Sequence, residues 1–367
     1  MTHRVAVVGG GAVGATAAHD LAVRGADVTL YERGEIGGGS TARAAGIAYD
    51  AFAEDIDAAV AERSLQRFRA LASASRFQFN ETPYLFFATE AGPEVDAIRE
   101  SVERMGHNGR DVSLVSPAEI RQRFPQLVSD DIHTAAVAEN AGVADPESYA
   151  EEMAARAAEL GADVREGVEV AVRADPARVL VAGEGEAYDD VLVAAGAHTK
   201  PLLADAGVPV ALEAYRVQAV RSGGPAIPTL YDATEGYYAR PARTGILAGD
   251  GAESTASDPE NWKETADEGF PGRMARRLHG RLLNFEGRTG TGWAGLCTAT
   301  PDGNPLLGAV GGLYVAAGWH GHGFMRAPAL GEAIAEAVLG GKTIGPFDPA
   351  RFDGDETFEI VEGMALD

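Results

Sequence analysis

The first 32 residues leave the chain few folds to choose from. Arg4-Val5-Ala6-Val7-Val8 is an apolar run short enough for a strand buried on both faces of a parallel sheet. Gly9-Gly10-Gly11-Ala12-Val13-Gly14 follows at once, and Ala15, Ala18, Leu21 and Ala22 then recur at helical spacing. Gly25 stops that helix, as a glycine just past the last turn does. Asp27-Val28-Thr29-Leu30-Tyr31 makes a second strand, ending at Glu32. Gly9 permits a tight turn, Gly11 lets the backbone approach a diphosphate, and Gly14 lets helix and strand touch. The diphosphate would rest on the helix N-terminus, held by its free N–H groups and its dipole. Glu32, 18 residues beyond Gly14, is placed to accept hydrogen bonds from an adenosine ribose and to repel a 2′-phosphate. A lone GxGxxG is a weak signal. Set between a strand and a helix and followed by this acid, it specifies a dinucleotide site. It does not separate NAD from FAD.

At 367 residues the chain exceeds what one core usually holds, so two domains are expected. Helical patterns recur over 56–76, 93–105, 117–124 and 146–160, and strand-like runs over 83–88, 162–165 and 191–195, the last meeting Gly196. The stretch 212–249 is strand-rich and includes Tyr237-Tyr238-Ala239-Arg240 and Ile246-Leu247-Ala248. Leu313-Tyr314-Val315-Ala316-Ala317 is a late strand, a loop then runs to Arg326, and Pro328 opens a helix reaching Leu339. Strand-helix units therefore sit at both ends, with mixed elements between. The expectation is an α/β plus α+β protein: a Rossmann-type domain from 1–76, 142–211 and 289–345, and a mixed-sheet substrate domain from 77–141 and 212–288. Residues 346–367 read as a C-terminal tail.

Charge and cysteine content exclude several classes. A formal charge of −24 repels nucleic acid and anionic lipid alike. The only lysines are Lys200, Lys263 and Lys342, a composition that points to a salty cytoplasm, where screening removes most self-repulsion. Cys297 is the single cysteine, so there is no intramolecular disulfide and no multi-thiolate zinc site, and no metal is expected. No apolar run reaches the ~18–20 residues of a membrane span. No signal-peptide pattern follows Met1-Thr2-His3-Arg4, and the expected address is the cytoplasm.

Several separated segments resemble one family, the FAD-dependent D-amino-acid oxidase superfamily, which includes glycine oxidase, sarcosine oxidase and D-amino-acid dehydrogenases. Gly38-Gly39-Ser40-Thr41-Ala42-Arg43-Ala44-Ala45-Gly46 resembles its serine-rich loop beside the flavin, and Gly142-Val143-Ala144-Asp145-Pro146 its turn back into the FAD domain. Residues 191–196 resemble its second strand-and-glycine element. Trp293-Ala294-Gly295-Leu296 with Thr300-Pro301-Asp302-Gly303-Asn304-Pro305 resembles its late active-site strand and turn, and Gly318-Trp319-His320-Gly321-His322-Gly323-Phe324 its terminal flavin loop. The resemblance implies FAD held by Gly9, Gly11, Ala12, Val13, Gly14, Glu32, Arg33, Ser40, Thr41, Ala45, Gly46, Val168, Ala195, Gly196, Gly321, His322, Gly323 and Phe324. It implies that a small amine or amino acid (a D-amino acid, glycine or sarcosine) gives hydride to flavin N5 and that the imine hydrolyses. Electrons would pass to O2 or to a quinone or electron-transfer protein.

The chain also departs from that pattern. An arginine commonly follows the Trp-x-Gly-Leu stretch in glycine-oxidase-like members; Cys297 stands here. The lysine that follows Gly-His-Gly-Phe in the sarcosine-oxidase branch is Met325, with Arg326 one later. That branch tethers FAD through a cysteine six residues before the proline of its Thr-Pro-Asp turn, whereas Cys297 lies four before Pro301, so noncovalent FAD is expected. A substrate carboxylate is suited to an arginine fork, and the candidates are Arg326 and Arg240, then Arg43 and Arg216. His320 and His322 would donate to flavin oxygens or sit near the substrate, unless only their backbone N–H groups matter. Alternatives are a 2-hydroxy-acid dehydrogenase, a non-catalytic FAD-binding subunit and an NAD-dependent dehydrogenase.

Overall fold

The computed structural model describes residues 2–250, 253 and 255–361; the last six residues of the expected tail, 362–367, lie outside them. Six strands form the first sheet, in the order Leu306–Val310, Leu313–Ala317, Asp190–Val193, Arg4–Val8, Asp27–Tyr31, Asp163–Arg165. Neighbours run parallel except the outermost pair, Leu306–Val310 and Leu313–Ala317. Arg4–Val8 is buried on both faces, as its unbroken apolar run requires. Val5 and Val7 pack under helices Ala12–Val23, Pro146–Glu159 and Gly323–Val338. Ala6 and Val8 face the other way, against a three-stranded meander formed by Val170–Arg173, Arg178–Val181 and Glu184–Ala187. Gly25 takes φ +86° one residue past the C-cap Arg24, which ends the first helix.

The second sheet has eight strands, in the order Trp293–Ala299, Glu213–Ser222, Ile246–Asp250, Tyr237–Pro241, Thr229–Asp232, Tyr84–Ala88, Thr134–Ala138, Val112–Leu114. Its side chains alternate between two cores, as the period of two demands. Leu85, Phe87, Leu230 and Ala239 pack under helix Phe270–Arg281, while Tyr84, Phe86 and Tyr231 turn toward the nucleotide-binding layer. A small sheet of Ile47–Tyr49, Ala141–Ala144 and Phe79–Glu81 lies where the chain passes between the layers.

Two expectations are corrected. Trp293–Ala299, allotted with 289–345 to the nucleotide domain, pairs along its whole length with Glu213–Ser222 and is an edge of the eight-stranded sheet. Pro328 does not open the last helix: the helix starts at Gly323 and holds Pro328 inside. The missing proline N–H removes one intrahelical bond, and the next N–H, that of Ala329, donates 3.2 Å to Ser64 Oγ on helix Asp55–Ala74. Arg326 therefore sits on the helix and not in the loop before it.

Candidate active site

The cradle is set by atoms that cannot be closer. A Cβ on Gly14 would lie 1.9 Å from Gly9 O, and one on Gly9, at φ +112°, 2.4 Å from Ala194 O. Strand, turn and helix thus meet at backbone contact only because these positions are glycine. Gly11 caps the helix without a side chain, leaving its mouth open, and Thr41 Oγ1 accepts from the Ala12 N–H at 3.1 Å. Helix N–H groups aimed at an open mouth favour an anion. Glu32 anchors the far side: its two oxygens accept from the Gly10 N–H at 2.7 Å and the Gly34 N–H at 2.8 Å. Its carbonyl accepts from the Val168 N–H at 2.9 Å. Arg33 reaches outward, donating to His198 Nε2 at 2.8 Å and pairing with Glu260 at 3.2 Å.

The remaining predicted loop positions gather around this cradle. Ser40 begins the short helix Ser40–Arg43, and its hydroxyl donates to Leu296 O at 2.7 Å, joining the nucleotide layer to the second sheet. Ala45 and Gly46 follow; Gly46 has φ +70° and no room for a Cβ beside Ala144 O. Ala195 and Gly196 leave the carboxyl end of Asp190–Val193, where open α/β sheets bind ligands. A dinucleotide fits: three strand ends, one open helix N-terminus and one carboxylate converge on the same side.

The terminal loop divides its residues. His320 lies in the left-handed region at φ +47°, buried; its Nε2 accepts from the Thr300 N–H at 2.8 Å, and its Nδ1–H donates to Val361 O at 3.3 Å. Burial holds its pKa below the ordinary histidine value. His322 caps helix Gly323–Val338 and lies edge-on to Tyr49 and Phe52, with burial pushing its pKa far down. Burial thus favours the neutral form of both rings. Phe324 offers only backbone here, because its ring packs on Phe68 and Tyr149 at 5.0 and 5.9 Å.

The arginine candidates separate sharply. Arg326 Nη1 is 2.9 Å from Asp57 Oδ1, and its guanidinium lies 4.8 Å over the Phe52 ring. Arg216 is consumed by the carbonyls of Lys263 and Thr265 and by Glu253 and Asp267. Arg43 donates to Ala294 O at 2.9 Å and pairs with Glu264. Arg240 alone of the four, among the described residues, is buried with no carboxylate in ion-pair reach: Nη1 donates to Pro241 O at 2.7 Å and Nε has no partner. Desolvation lowers its pKa to about 10. The pairing of Leu230 with Ala239 sets Thr229 beside Arg240 on the same face, and the buried Thr229 Oγ1 also lacks a partner. Two adjacent unsatisfied polar groups point to a polar ligand.

Sequence reasoning missed Thr229, Asp57 and the aromatic stack of Tyr49 on Tyr84 (4.4 Å) and Phe52 (5.3 Å). The alternation in Tyr84-Leu85-Phe86-Phe87 could have placed Tyr84 on this face; Asp57 carries no local signal.

A Rossmann-type cradle roofed by a mixed sheet with a buried cationic face defines a dinucleotide-binding protein with a second layer over the site. The chain belongs to the DAO family, FAD dependent oxidoreductase, whose family model matches residues 4–337, and FAD is its cofactor. The NAD-dependent alternative falls with that match. Glycine oxidase of Geobacillus kaustophilus (strain HTA426) is 28% identical over 379 residues, covering 96% of this chain and 99% of the relative. A 4-methylaminobutanoate oxidase (formaldehyde-forming) of Paenarthrobacter nicotinovorans is 27% identical over 97% of this chain, which spans only 46% of that longer protein. Among solved structures, L-proline dehydrogenase from P. horikoshii superposes with a TM-score of 0.85 at 29% identity, covering 96% of this chain and 98% of that one. Glycine oxidase from Geobacillus kaustophilus does so at 0.86 and 26%, covering 96% and 100%.

Proposed function

We propose that this oxidoreductase oxidises the C–N bond of a small amino acid, of the D-amino-acid, glycine or sarcosine type, held by its carboxylate on Arg240. The unpaired buried guanidinium carries the reading, and the relatives named for amines and amino acids support it. Bound FAD supplies the hydride acceptor for the C–H beside the amine nitrogen. Arg240 would orient the substrate through a two-point fork, with Thr229 donating to a third lone pair. Tyr49, Phe52 and Tyr84 keep water from that face, which strengthens the ion pair. The N-terminus of Gly323–Val338, with its backbone donors and positive dipole end, would help to hold the electron-rich edge of FAD. His320 and His322, whose burial favours the neutral form, hold the loop.

The test is anaerobic bleaching of the yellow protein by amino acids, N-methyl amino acids and 2-hydroxy acids. The first two classes should bleach it within seconds to minutes. Bleaching by hydroxy acids alone sinks the amine reading, and none at all favours a non-catalytic subunit. Admitting air afterwards separates O2 from a quinone or electron-transfer protein as acceptor. The cofactor is proposed to be noncovalent, since Cys297 packs with Tyr215 and Ile360. Acid precipitation should then leave the colour in the supernatant.

A cytoplasmic, saline setting belongs to the same proposal, supported by the single cysteine and the charge of −24. No helix among the described residues is long and apolar enough to cross a membrane. Single exposed ion pairs, such as Arg123–Glu139, contribute little, so self-repulsion governs the salt response. The melting temperature should climb from dilute buffer to molar KCl; a flat or falling curve removes the saline setting.

A further inference from the structure

Residues 251–269 join strand Ile246–Asp250 to helix Phe270–Arg281, and those described among them form no strand or helix of their own. A connection this long without an element is uncommon in a packed domain and usually has a function. Both of its ends are fastened to the eight-stranded sheet. The Ser257 N–H donates to Ala214 O at 2.7 Å, and Glu264 O accepts from the Ala294 N–H at 2.8 Å. Arg216, buried, bridges the two ends: it donates to the carbonyls of Lys263 and Thr265 at 2.9 and 2.7 Å and pairs with Glu253 and Asp267. The stretch 258–262 is left to reach elsewhere.

It reaches the nucleotide layer at two places. Glu260 Oε1 lies 3.2 Å from both Arg33 Nη1 and His198 Nε2, and Arg33 itself donates to His198 at 2.8 Å. Arg33 follows Glu32, the carboxylate on the far side of the cradle, and His198 ends the turn Gly196–His198 that leaves the central sheet. Two residues further on, Trp262 packs on Ala197, Ala214 and Leu296, with the Arg43 guanidinium 5.3 Å from its ring centre. Arg43 ends the short helix that begins at Ser40, whose hydroxyl holds Leu296 O. Thr41 of the same helix accepts from the open helix mouth at Ala12. The contacts therefore run from beside the expected ribose anchor to beside the expected diphosphate seat. They follow one side of the cradle.

We propose that residues 258–262 are a strap laid across the adenosine half of bound FAD, which must lift before the cofactor enters or leaves. FAD in the cradle holds the strap down in turn. Trp262 is the main fastening. The ion pair is the weaker part, because the Glu260 and Arg33 side chains are 66% and 49% exposed and pairs so exposed contribute little. The half-buried indole instead covers apolar surface on three side chains, and Arg43 over its face adds a cation–π attraction. The strap springs from the second sheet and the cradle from the first, so both layers retain the cofactor. This inference concerns cofactor exchange and does not depend on which residue holds the substrate.

Release is read without turnover, from the growth of free-FAD fluorescence after the holoprotein is diluted far below saturation. Trp262→Ala should speed release by roughly tenfold or more, and Glu260→Gln by about two- to fivefold. Trp262→Phe keeps most of the apolar cover and should stay within about threefold of the unmodified protein. Entry of FAD into the cofactor-stripped full chain should quicken in step with release, because a strap obstructs both directions. The three lysines give a second measurement: a protease that cuts only after lysine acts at Lys200, Lys263 and Lys342. Cutting after Lys263, at the end of the strap, should slow several-fold when FAD is bound, measured against Lys342 beyond the last helix. If Trp262→Ala does not fold, Glu260→Gln and the protease decide. Release that is equal in all variants overturns the strap, as does cutting after Lys263 that ignores FAD. Faster release with unchanged entry overturns it too, since that is the mark of a lost contact and not of a gate.

Discussion

Arg240→Met should lower kcat/KM on the best amino-acid substrate by roughly two to three decades, equivalent to about 3–4 kcal/mol, with flavin content intact. The expectation rests on desolvation: a carboxylate left unpaired in this buried place loses most of its hold, on the order of 3–5 kcal/mol when one partner of a buried pair is deleted. Arg326→Met is the contrasting variant. Its guanidinium already serves Asp57 and the Phe52 ring, so its loss strands an acid between two helices. That variant should lower the melting temperature and change kcat/KM by less than about tenfold, far below the Arg240 effect. Steady-state rates and the flavin absorbance ratio on both proteins decide the matter. If Arg240→Met keeps near-normal efficiency, the clamp lies elsewhere or the substrate has no carboxylate.

Gly14→Ala should abolish retention of FAD through gel filtration and destabilise the fold by about 3 kcal/mol, as overpacking at immovable backbone does. The added methyl has to displace Gly9 O from 1.9 Å, and Gly9 is itself wedged against Ala194 O. Helix Ala12–Val23 can yield only by swinging its N-terminus away from the mouth of the cradle. Gly106→Ala, on the helix Pro93–His107 away from the cradle, is the control, because a Cβ there meets nothing within 4 Å. Thermal melts with and without added FAD should separate the two variants; equal behaviour would show that the helix-strand contact is not what shapes the site.

The dinucleotide cradle was legible because every requirement in it is local. A turn with no room for Cβ, an open helix mouth and an acid at the next strand end are written within 32 residues. The sheet that roofs it was legible only as a class. Trp293–Ala299 joins that sheet through a register with Glu213–Ser222, and nothing within seven residues declares which of two sheets will accept them. Pro328 misled for a physical reason: proline favours a helix's first turn, yet the chain tolerates it six positions in, where Ser64 accepts the next N–H. The sequence placed Arg326 and Arg240 ahead of Arg43 and Arg216 but gave no way to choose between the first two. What sets Arg326 apart is the pairing with Asp57 on another helix, and what distinguishes Arg240 is the lack of any such partner among the described residues.

The strand order of the first sheet has a bearing on how the chain is made. Arg4–Val8 emerges first, but its neighbour Asp190–Val193 comes nearly half a chain later, and the next strand out, Leu313–Ala317, later still. A ribosome therefore holds an unfinished sheet until residue 317 of 367 has been joined. Until residue 193 has been joined the parallel edge at Val5 to Val8 is an unpaired, wholly apolar row, the kind of surface that associates with other nascent chains. The strand that carries the glycine turn must thus be kept from premature pairing for the longest time of any in the molecule. Late closure of the sheet also means that the flavin finds its complete cradle only after Leu313–Ala317 has been made.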